Sequence, residues 1–353
     1  GFFMNNFFFK IENKIKLKDI LNILKVPRID FLNVNKKINK NIENIFIKDF
    51  VSLSNLKKDK LSFYANKKYD LNTISSGICI IEKKNLKLIN NEVIKIPYNN
   101  PKKGFSIILE KYFGNFHLKN KINNIHPSAI VHKTAKIGNN VSIGAFSFID
   151  KGVVIGDDTV ISERVSISCN CKIGKGCFLG VGSVIEYTII DKKVTISSNT
   201  VIGKSGFGFI PNKSKTHLIP HIGGVFIGEG TNIGAGCTID RGLIDDTFIG
   251  KYVMIDNQVH VGHNSTIDDF CILAGQVGLS GSVVLKKNVT IGGDVSIKDN
   301  ITIGEDSVIA GASKVFNSFP KGSYIGGSPA QNIQDWKRIV ASQRLNLKKR
   351  KNN

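Results

Sequence analysis

The sequence predicts a mainly β protein: a solenoid of short strands and tight corners, with a small α/β region before it and a helix after it. Three observations carry this expectation. Aliphatic residues recur at every sixth position from Ile125 through Val131, Ile137, Ile143, Ile149, Ile155, Ile161, Ile167, Ile173 and Leu179 to Ile185. Four places after these stand small or β-branched residues, as in Ala129, Ala135, Val141, Ser147, Val153, Thr159 and Val165. Gly, Asn, Asp and Lys crowd the positions between, where a chain has to turn. An α-helix needs apolar spacing near 3.6 and a simple strand needs 2, so a sustained period of six suits neither. It suits a three-sided coil whose aliphatic side chains stack inside as ladders while the backbone pairs with the coils above and below.

Residues 1–124 lack the six-residue rhythm. Alternating patches such as "LSFYA" and "SGICIIEK" mark them as a small α/β domain. The opening "GFFMNNFFFK" is too short and too broken by Asn for the apolar core of a signal peptide, and no stretch reaches the roughly 18 apolar residues of a membrane span. A soluble, cytoplasmic protein with no integral membrane segment is expected.

Residues 125–328 form the solenoid. The rhythm slips by one at Ile190, continues through Ile196 and Ile202, resumes at Ile227, Ile233 and Ile239, and then runs from Ile249 to Val315. Between Ile202 and Ile227 lies "KSGFGFIPNKSKTHLIPHIGG", residues 204–224, whose Gly, Pro and aromatic content requires it to leave the prism as a loop, the place where solenoids carry binding elements. Cys171, Cys177, Cys237 and Cys271 occupy one recurring slot of the repeat, which marks them as packed thiols rather than a disulfide framework or a zinc site.

Residues 329–353 carry Ile333, Trp336, Ile339, Val340 and Leu345 at helical spacing on a basic background, a helix that caps the solenoid or bundles with other copies. The net charge of +21 is concentrated at the ends: +14 over residues 1–124, +1 over 125–330 and +6 over 331–353. Such ends suit an acidic protein, an anionic lipid surface or nucleic acid, or they are simply solvated; Lys, Asn and Ile rise together, so the charge alone does not choose.

One segment departs from the repeat in chemistry. "IDNQVHVGHN" places Asp256, Asn257, Gln258, His260, His263 and Asn264 within nine residues, where most turns offer only Gly, Asp and Lys. With Val261 inside, His263 and Asn264 fall in the following outward corner, and His260 lies just before on the same turn. A histidine can take and return a proton near neutral pH, and a neighbouring Asp or Asn can fix its tautomer. One coil later the matching position is Gly281, whose N–H, free of side-chain crowding, is placed to stabilise an oxyanion. This is an acyl-transfer geometry, a base on one coil and a backbone donor on the next. A zinc site is the rival: His260 and His263 would give two ligands, but no third His stands at a neighbouring coil position, so no metal is expected.

The segments "TIDRGLIDDTFIG", "IDNQVHVGHN", "KSGFGF", "YIGGSPAQ" and "LSFYANKKY" closely resemble the UDP-3-O-acylglucosamine N-acyltransferases of lipid A biosynthesis, over roughly residues 45–345. The resemblance implies a left-handed parallel β-helix that assembles as a homotrimer with its sites between subunits. It implies transfer of a 3-hydroxyacyl group from the phosphopantetheine of acyl carrier protein to the 2-amino group of UDP-3-O-acyl-glucosamine, with no other cofactor and no nucleic acid partner. Carried over residue by residue, His263 is the general base with Asn264 beside it, and Gly281 the oxyanion donor. Asp256, Asn257 and His260 lie near the sugar, and Phe63 and Tyr69 stack on uracil with Asn66 between them as a polar contact. Where the family pattern has a second histidine, "KDNITIG" places Asn300, which hydrogen-bonds but carries no positive charge. In the basic tail, Lys337, Arg338, Arg344, Lys348, Lys349 and Arg350 are expected to steer the acidic carrier protein, with Trp336 and Ile339 packing the helix. The alternatives are a sister UDP-N-acetylglucosamine O-acyltransferase, a CoA-dependent hexapeptide transferase, and a non-catalytic β-solenoid; the last predicts flat repetitive faces without the polar cluster at 256–264.

Overall fold

A computed structural model describes residues 14–36, 42–65, 69–114, 124–212, 215–327 and 337–345. The chain divides into two compact units, Gly1–Lys119 and Asn120–Asn353.

The first unit is built on a parallel four-stranded sheet in the order Asp49–Phe50, Lys60–Phe63, Gly77–Ile81, Val93–Pro97. Gly77–Ile81 is buried along its whole length, as a central parallel strand covered on both faces should be. One face packs against helices through Leu17, Ile20, Phe31, Leu61, Ile78, Ile80 and Ile108, and the other packs through Leu56, Tyr64, Leu71, Cys79, Ile81 and Val93. The helix Pro101–Phe113 starts where Asn100 accepts the Lys103 N–H and Pro101 fixes the first turn. Its Phe105, Ile108 and Tyr112, at helical spacing, face the core.

The second unit is the solenoid. Among the described residues its three sheets hold 10, 9 and 10 strands, mostly two residues long, and every pair within them is parallel. From Ile143 onward the residues predicted to point inward are buried, while Ile125 in the first coil is exposed and Val131 and Ile137 are half-buried: Ile149 pairs with Ile167 and Ile167 with Ile185, all three fully buried. The second residue of most corners adopts a left-handed φ near +60°, among them Asn140, Asp158, Asn170, Asn199, Asn264, Asn288 and Asn300. Asn and Asp tolerate that region best after Gly, which is why these residues punctuate the repeat. Cys171, Cys177, Cys237 and Cys271 are buried in the ladder, each with its Sγ against a backbone carbonyl.

The two irregularities in the rhythm shape the wall. At Ile190 the register runs Ile173 to Ile190, one residue short of the regular coil. After Ile202 the strand lengthens to Val201–Ser205 and pairs with Thr238–Arg241 across a bulge at Gly203. Gly203 holds φ +86°, and a Cβ there would collide with the carbonyl of Glu186, so only glycine fits. The chain then leaves the prism and turns back through the antiparallel pair Phe209–Ile210 and His217–Leu218. A second, shorter excursion runs from Arg241 to Thr247, where ten residues instead of six separate Ile239 from Ile249. These excursions meet the corner of His263.

Candidate active site

His263 lies in the corner that follows the strand His260–Val261, half-buried, with Val261 fully inside the prism. Its Nδ1 is 3.0 Å from Asn264 Oδ1. The Asn264 amide is fixed at both ends by the short excursion: Oδ1 accepts the Leu243 N–H at 3.0 Å and Nδ2 donates to the Asp245 carbonyl at 3.0 Å. Its own N–H donates to Thr247 Oγ1 at 2.9 Å. A backbone N–H can only donate and a carbonyl can only accept, so the amide has one orientation and its Oδ1 is an acceptor. His263 Nδ1 therefore carries the proton, and the lone pair of the neutral ring is on Nε2.

That Nε2 faces the next coil at Gly281. A Cβ on Gly281 would stand 2.7 Å from Nε2 and 2.8 Å from Cε1 of His263, so the imidazole occupies the space a side chain would take. Among the hydrogen bonds of the described residues none uses the Gly281 N–H. Its neighbours are engaged: Ser280 N–H donates to the Ile297 carbonyl and Ser282 N–H to the His263 carbonyl. The ladder leaves the N–H of the first corner residue unused, and elsewhere an Asp or Asn side chain often takes it, as Asp269 does for Lys251 and Asn257 for Ala235. At Gly281 it stays free beside the His263 ring.

A second histidine, which no spacing in the sequence singled out, completes the wall. His221, near the end of the 204–224 excursion, is 4 % exposed, and its ring centroid lies 5.1 Å from that of His263 at an interplanar angle of 69°. Its Nδ1 is 3.0 Å from the Ile219 carbonyl, with Ser205 Oγ at 3.3 Å, and Nε2 is buried with no hydrogen-bond partner. Gly206 sits between the rings, where a Cβ would come within 2.7 Å of His263 Cβ and 2.8 Å of His221 Nε2. The alternation of glycine and aromatics in "GFGF" was the only sequence signal for this contact. Arg241 locks the excursion down, donating from Nε to the His221 carbonyl at 2.9 Å and from a terminal nitrogen to the Gly203 carbonyl at 2.8 Å while its guanidinium covers the Tyr187 ring.

The other predicted residues fall around this centre rather than in one cluster. His260 projects from the face, with Nδ1 2.8 Å from Thr238 Oγ1 and Nε2 3.9 Å from Asp240. Asp240 is buried, with Lys204 Nζ at 3.7 Å and its Oδ1 otherwise unpartnered. Asp256, Asn257 and Gln258 occupy the corner at the other edge of the same face; there Asp256 accepts the Asn257 N–H at 2.7 Å, and Asn257 Oδ1 accepts the Ala235 N–H at 2.8 Å. The six polar residues close in sequence are thus divided between two corners and the strand joining them, with Asp256 bonded to Asn257 in one corner and His263 to Asn264 in the other. Asn300 is exposed two coils after Asn264, donating to Asp299 at 2.8 Å, and its N–H bonds the Gly281 carbonyl. Among the described residues no three His, Cys, Asp or Glu side chains converge as metal ligands.

In the first unit, Phe63 is half-buried with its ring 4.9 Å from that of Phe105. Tyr69 packs against the cluster on the other face of the sheet, with Leu56 and Leu71; Asn66 lies outside the described residues. Residues 337–345 are helical, and Lys337, Arg338 and Arg344 are exposed on them. Ile339 and Leu345 are exposed too, and Val340 is half-buried. Ile333, Trp336, Lys348, Lys349 and Arg350 lie outside the described residues. No helix among the described residues is long and apolar enough to cross a membrane.

Comparison with known proteins agrees with this architecture. Residues 134–167 and 171–204 match the family model described as the hexapeptide repeat of succinyl-transferase. The chain is similar to the UDP-3-O-acylglucosamine N-acyltransferase of Rhodopseudomonas palustris, with 32% identity over 293 residues, 81% of each chain. It is equally similar to the same enzyme of Coxiella burnetii, with 32% identity over 317 residues covering 83% of this chain and 86% of the relative. Among solved structures, the Arabidopsis UDP-N-acetylglucosamine acyltransferase superposes with a TM-score of 0.53 at 28% identity, covering 61% of this chain and 77% of that one.

Proposed function

The chain belongs to the UDP-3-O-acylglucosamine N-acyltransferase family, and from that premise we propose that His263 is the general base of an acyl transfer from acyl carrier protein to the 2-amino group of UDP-3-O-acyl-glucosamine. The observation that carries this assignment is the tautomer lock. Asn264, itself fixed by Leu243 and Asp245, leaves the lone pair of His263 on Nε2, directly beside the free N–H of Gly281.

The chemistry follows from that pair. The amine attacks the thioester carbonyl of the 3-hydroxyacyl group and forms a C–N bond, and His263 Nε2 takes the proton the nitrogen loses. The Gly281 N–H donates to the oxyanion that develops on the carbonyl carbon's oxygen. When the tetrahedral intermediate collapses, the C–S bond breaks and the imidazolium returns its proton to the departing phosphopantetheine thiolate. The products are the amide, the 2,3-diacylated sugar nucleotide, and free carrier protein. No cofactor beyond the carrier's own phosphopantetheine enters the balance.

Further substrate contacts are assigned within each unit by itself. Uracil is assigned to the first unit, with Phe63, Tyr69 and Asn66 as its contacts, although Phe63 and Tyr69 pack in clusters on opposite faces of the sheet; Asp256, Asn257 and His260 serve the sugar, and Asn300 stands where a second polar group faces the substrate. The uncovered apolar residues Ile339 and Leu345 support association with further copies in a homotrimer. Lys337, Arg338, Arg344 and Lys348 steer the carrier protein, and the reaction takes place in the cytoplasm.

The test is a mass-resolved assay with UDP-3-O-acyl-glucosamine and hydroxyacyl carrier protein, run on the wild type and on His263→Ala. Loss of amide product in the variant supports the base; full activity removes His263 from that role. Running UDP-N-acetylglucosamine in parallel separates N-acylation from the sister O-acylation.

A further inference from the structure

We propose that His221 is a positioning residue for this reaction: its imidazole holds the His263 ring edge-on and aims an unprotonated Nε2 at it, stabilising the positive charge His263 acquires when it takes the substrate's proton. This rests on His263 being the base.

Three features converge. The Ile219 carbonyl, 3.0 Å from Nδ1, can only accept, so Nδ1 of His221 carries the proton and Nε2 bears the lone pair. Nε2 is the end turned toward His263: the single point where a Gly206 Cβ would stand is 2.8 Å from His221 Nε2 and 3.0 Å from His263 Cδ2. That nitrogen is buried and has no donor of its own. A buried acceptor without a partner is costly, so its retention against the base calls for a return elsewhere.

The return is electrostatic. An imidazole with one protonated and one bare nitrogen is a dipole whose negative end is the bare nitrogen. Held by the Ile219 carbonyl at one end and by the packing of Gly206 and Gly208 at the other, it cannot reorient, so it costs no reorganisation when charge appears on His263. The glycines are necessary, because a Cβ at Gly208 would reach within 2.8 Å of His221 Cε1. The charged groups near the pair are disposed consistently. Arg241 bonds the backbone carbonyl of His221 rather than its ring, and Asp240 is engaged with Lys204 and His260. Asn264 and the Gly281 backbone complete the surroundings of His263, and neither carries charge.

The experiment is the pH profile of kcat and kcat/KM for wild type, His221→Phe and His221→Gln. Phe keeps the ring packing and removes the lone pair. It should lower kcat roughly tenfold, leave KM within about twofold, and move the acidic limb of kcat/KM to lower pH. Gln offers one N–H for Ile219 and one oxygen for His263 and should restore most of both. An unmoved acidic limb in His221→Phe, whether or not activity falls, overturns the proposal. On the wild type itself, histidine nitrogen NMR should show His221 with Nε2 unprotonated across the pH range of activity, and a protonated Nε2 overturns it without any variant. Activity retained in His263→Ala is a different failure, that of the base.

Discussion

The imidazole of His263 and the main chain of Gly281 occupy adjoining coils so closely that a Cβ on the glycine would lie 2.7 Å from Nε2. The ring cannot yield, because Asn264 holds Nδ1 and His221 lies against its other side. Gly281→Ala should therefore displace the His263 imidazole while leaving the ladder intact. The expected result is a fall in kcat of roughly a hundredfold, the scale of a 1 Å misplacement of a reacting group, with a thermal midpoint near that of the wild type. Steady-state kinetics beside a melting curve check this; wild-type kcat would mean the ring does not act from this position.

Asn264 combines two roles at one residue. It sits at φ +59°, where a β-carbon is tolerated but strained, and it ties the short excursion to the His263 ring. Asn264→Ala should cost about 1–2 kcal/mol of stability from the left-handed backbone and the lost bonds. It should also lower kcat by roughly a hundredfold or more, because the ring is free to carry its proton on Nε2. Denaturant unfolding measures the first effect and histidine nitrogen shifts the second. A variant that loses stability but keeps the Nδ1–H form would show that Asn264 is only structural.

The prism was legible because a repeating fold repeats its reasons. Each inward Ile answers to the same neighbours one coil away, and even the short coil at Ile190 was visible as a slip in phase. The corner of His263 and its placement beside Gly281 followed from the same arithmetic. Asp256 and Asn257, adjacent in sequence, are carried by that period to a different corner. His221 had no periodic signal, because it arrives through an excursion whose path is set by its own bulge at Gly203, its Gly206 and Gly208 contacts and the Arg241 clamp. The role of Asn264 as a tautomer lock depends on Leu243 and Asp245 returning from the second excursion, a closure that sequence spacing does not specify.

Asn300 stands in the column of corners that holds Asn264, and its N–H bonds the Gly281 carbonyl, which puts it one coil beyond the proposed oxyanion donor. A histidine adds a group that can carry charge, which the amide of Asn300 cannot. Asn300→His should raise kcat by about twofold or more. A smaller change in the same assay would make the substitution kinetically silent and would locate substrate contact elsewhere.

The exposed cations Lys337, Arg338 and Arg344 share one short helical segment. If they steer an acidic carrier, neutralising all three with Ala should reduce kcat/KM for the carrier roughly tenfold at low salt, with kcat little changed. The gap to wild type should close above about 0.5 M salt, where screening is complete within a few ångströms. Equal salt dependence in the two proteins would dismiss steering by this segment.

Burial pushes the thiols of Cys79 and Cys271 up to about 12 and that of Cys177 up to about 11, from an ordinary value of 9.0. The unfolded chain therefore begins to lose these protons near pH 9 while the native chain keeps them. Above that pH the unfolded state binds fewer protons, so stability falls as pH rises, and below it the three thiols contribute no slope. Each should account for roughly 1 kcal/mol per pH unit through the interval between its two values. Urea unfolding of the whole chain at pH 8, 9.5 and 10.5 should show the decline, and Cys177→Ala with Cys271→Ala should flatten it for the solenoid. Native alkylation at pH 8 should reach Cys169, which is partly exposed, well before the buried thiols. A slope unchanged by the two substitutions would mean that other groups, not the stacked thiols inside the prism, set the alkaline limit of the fold.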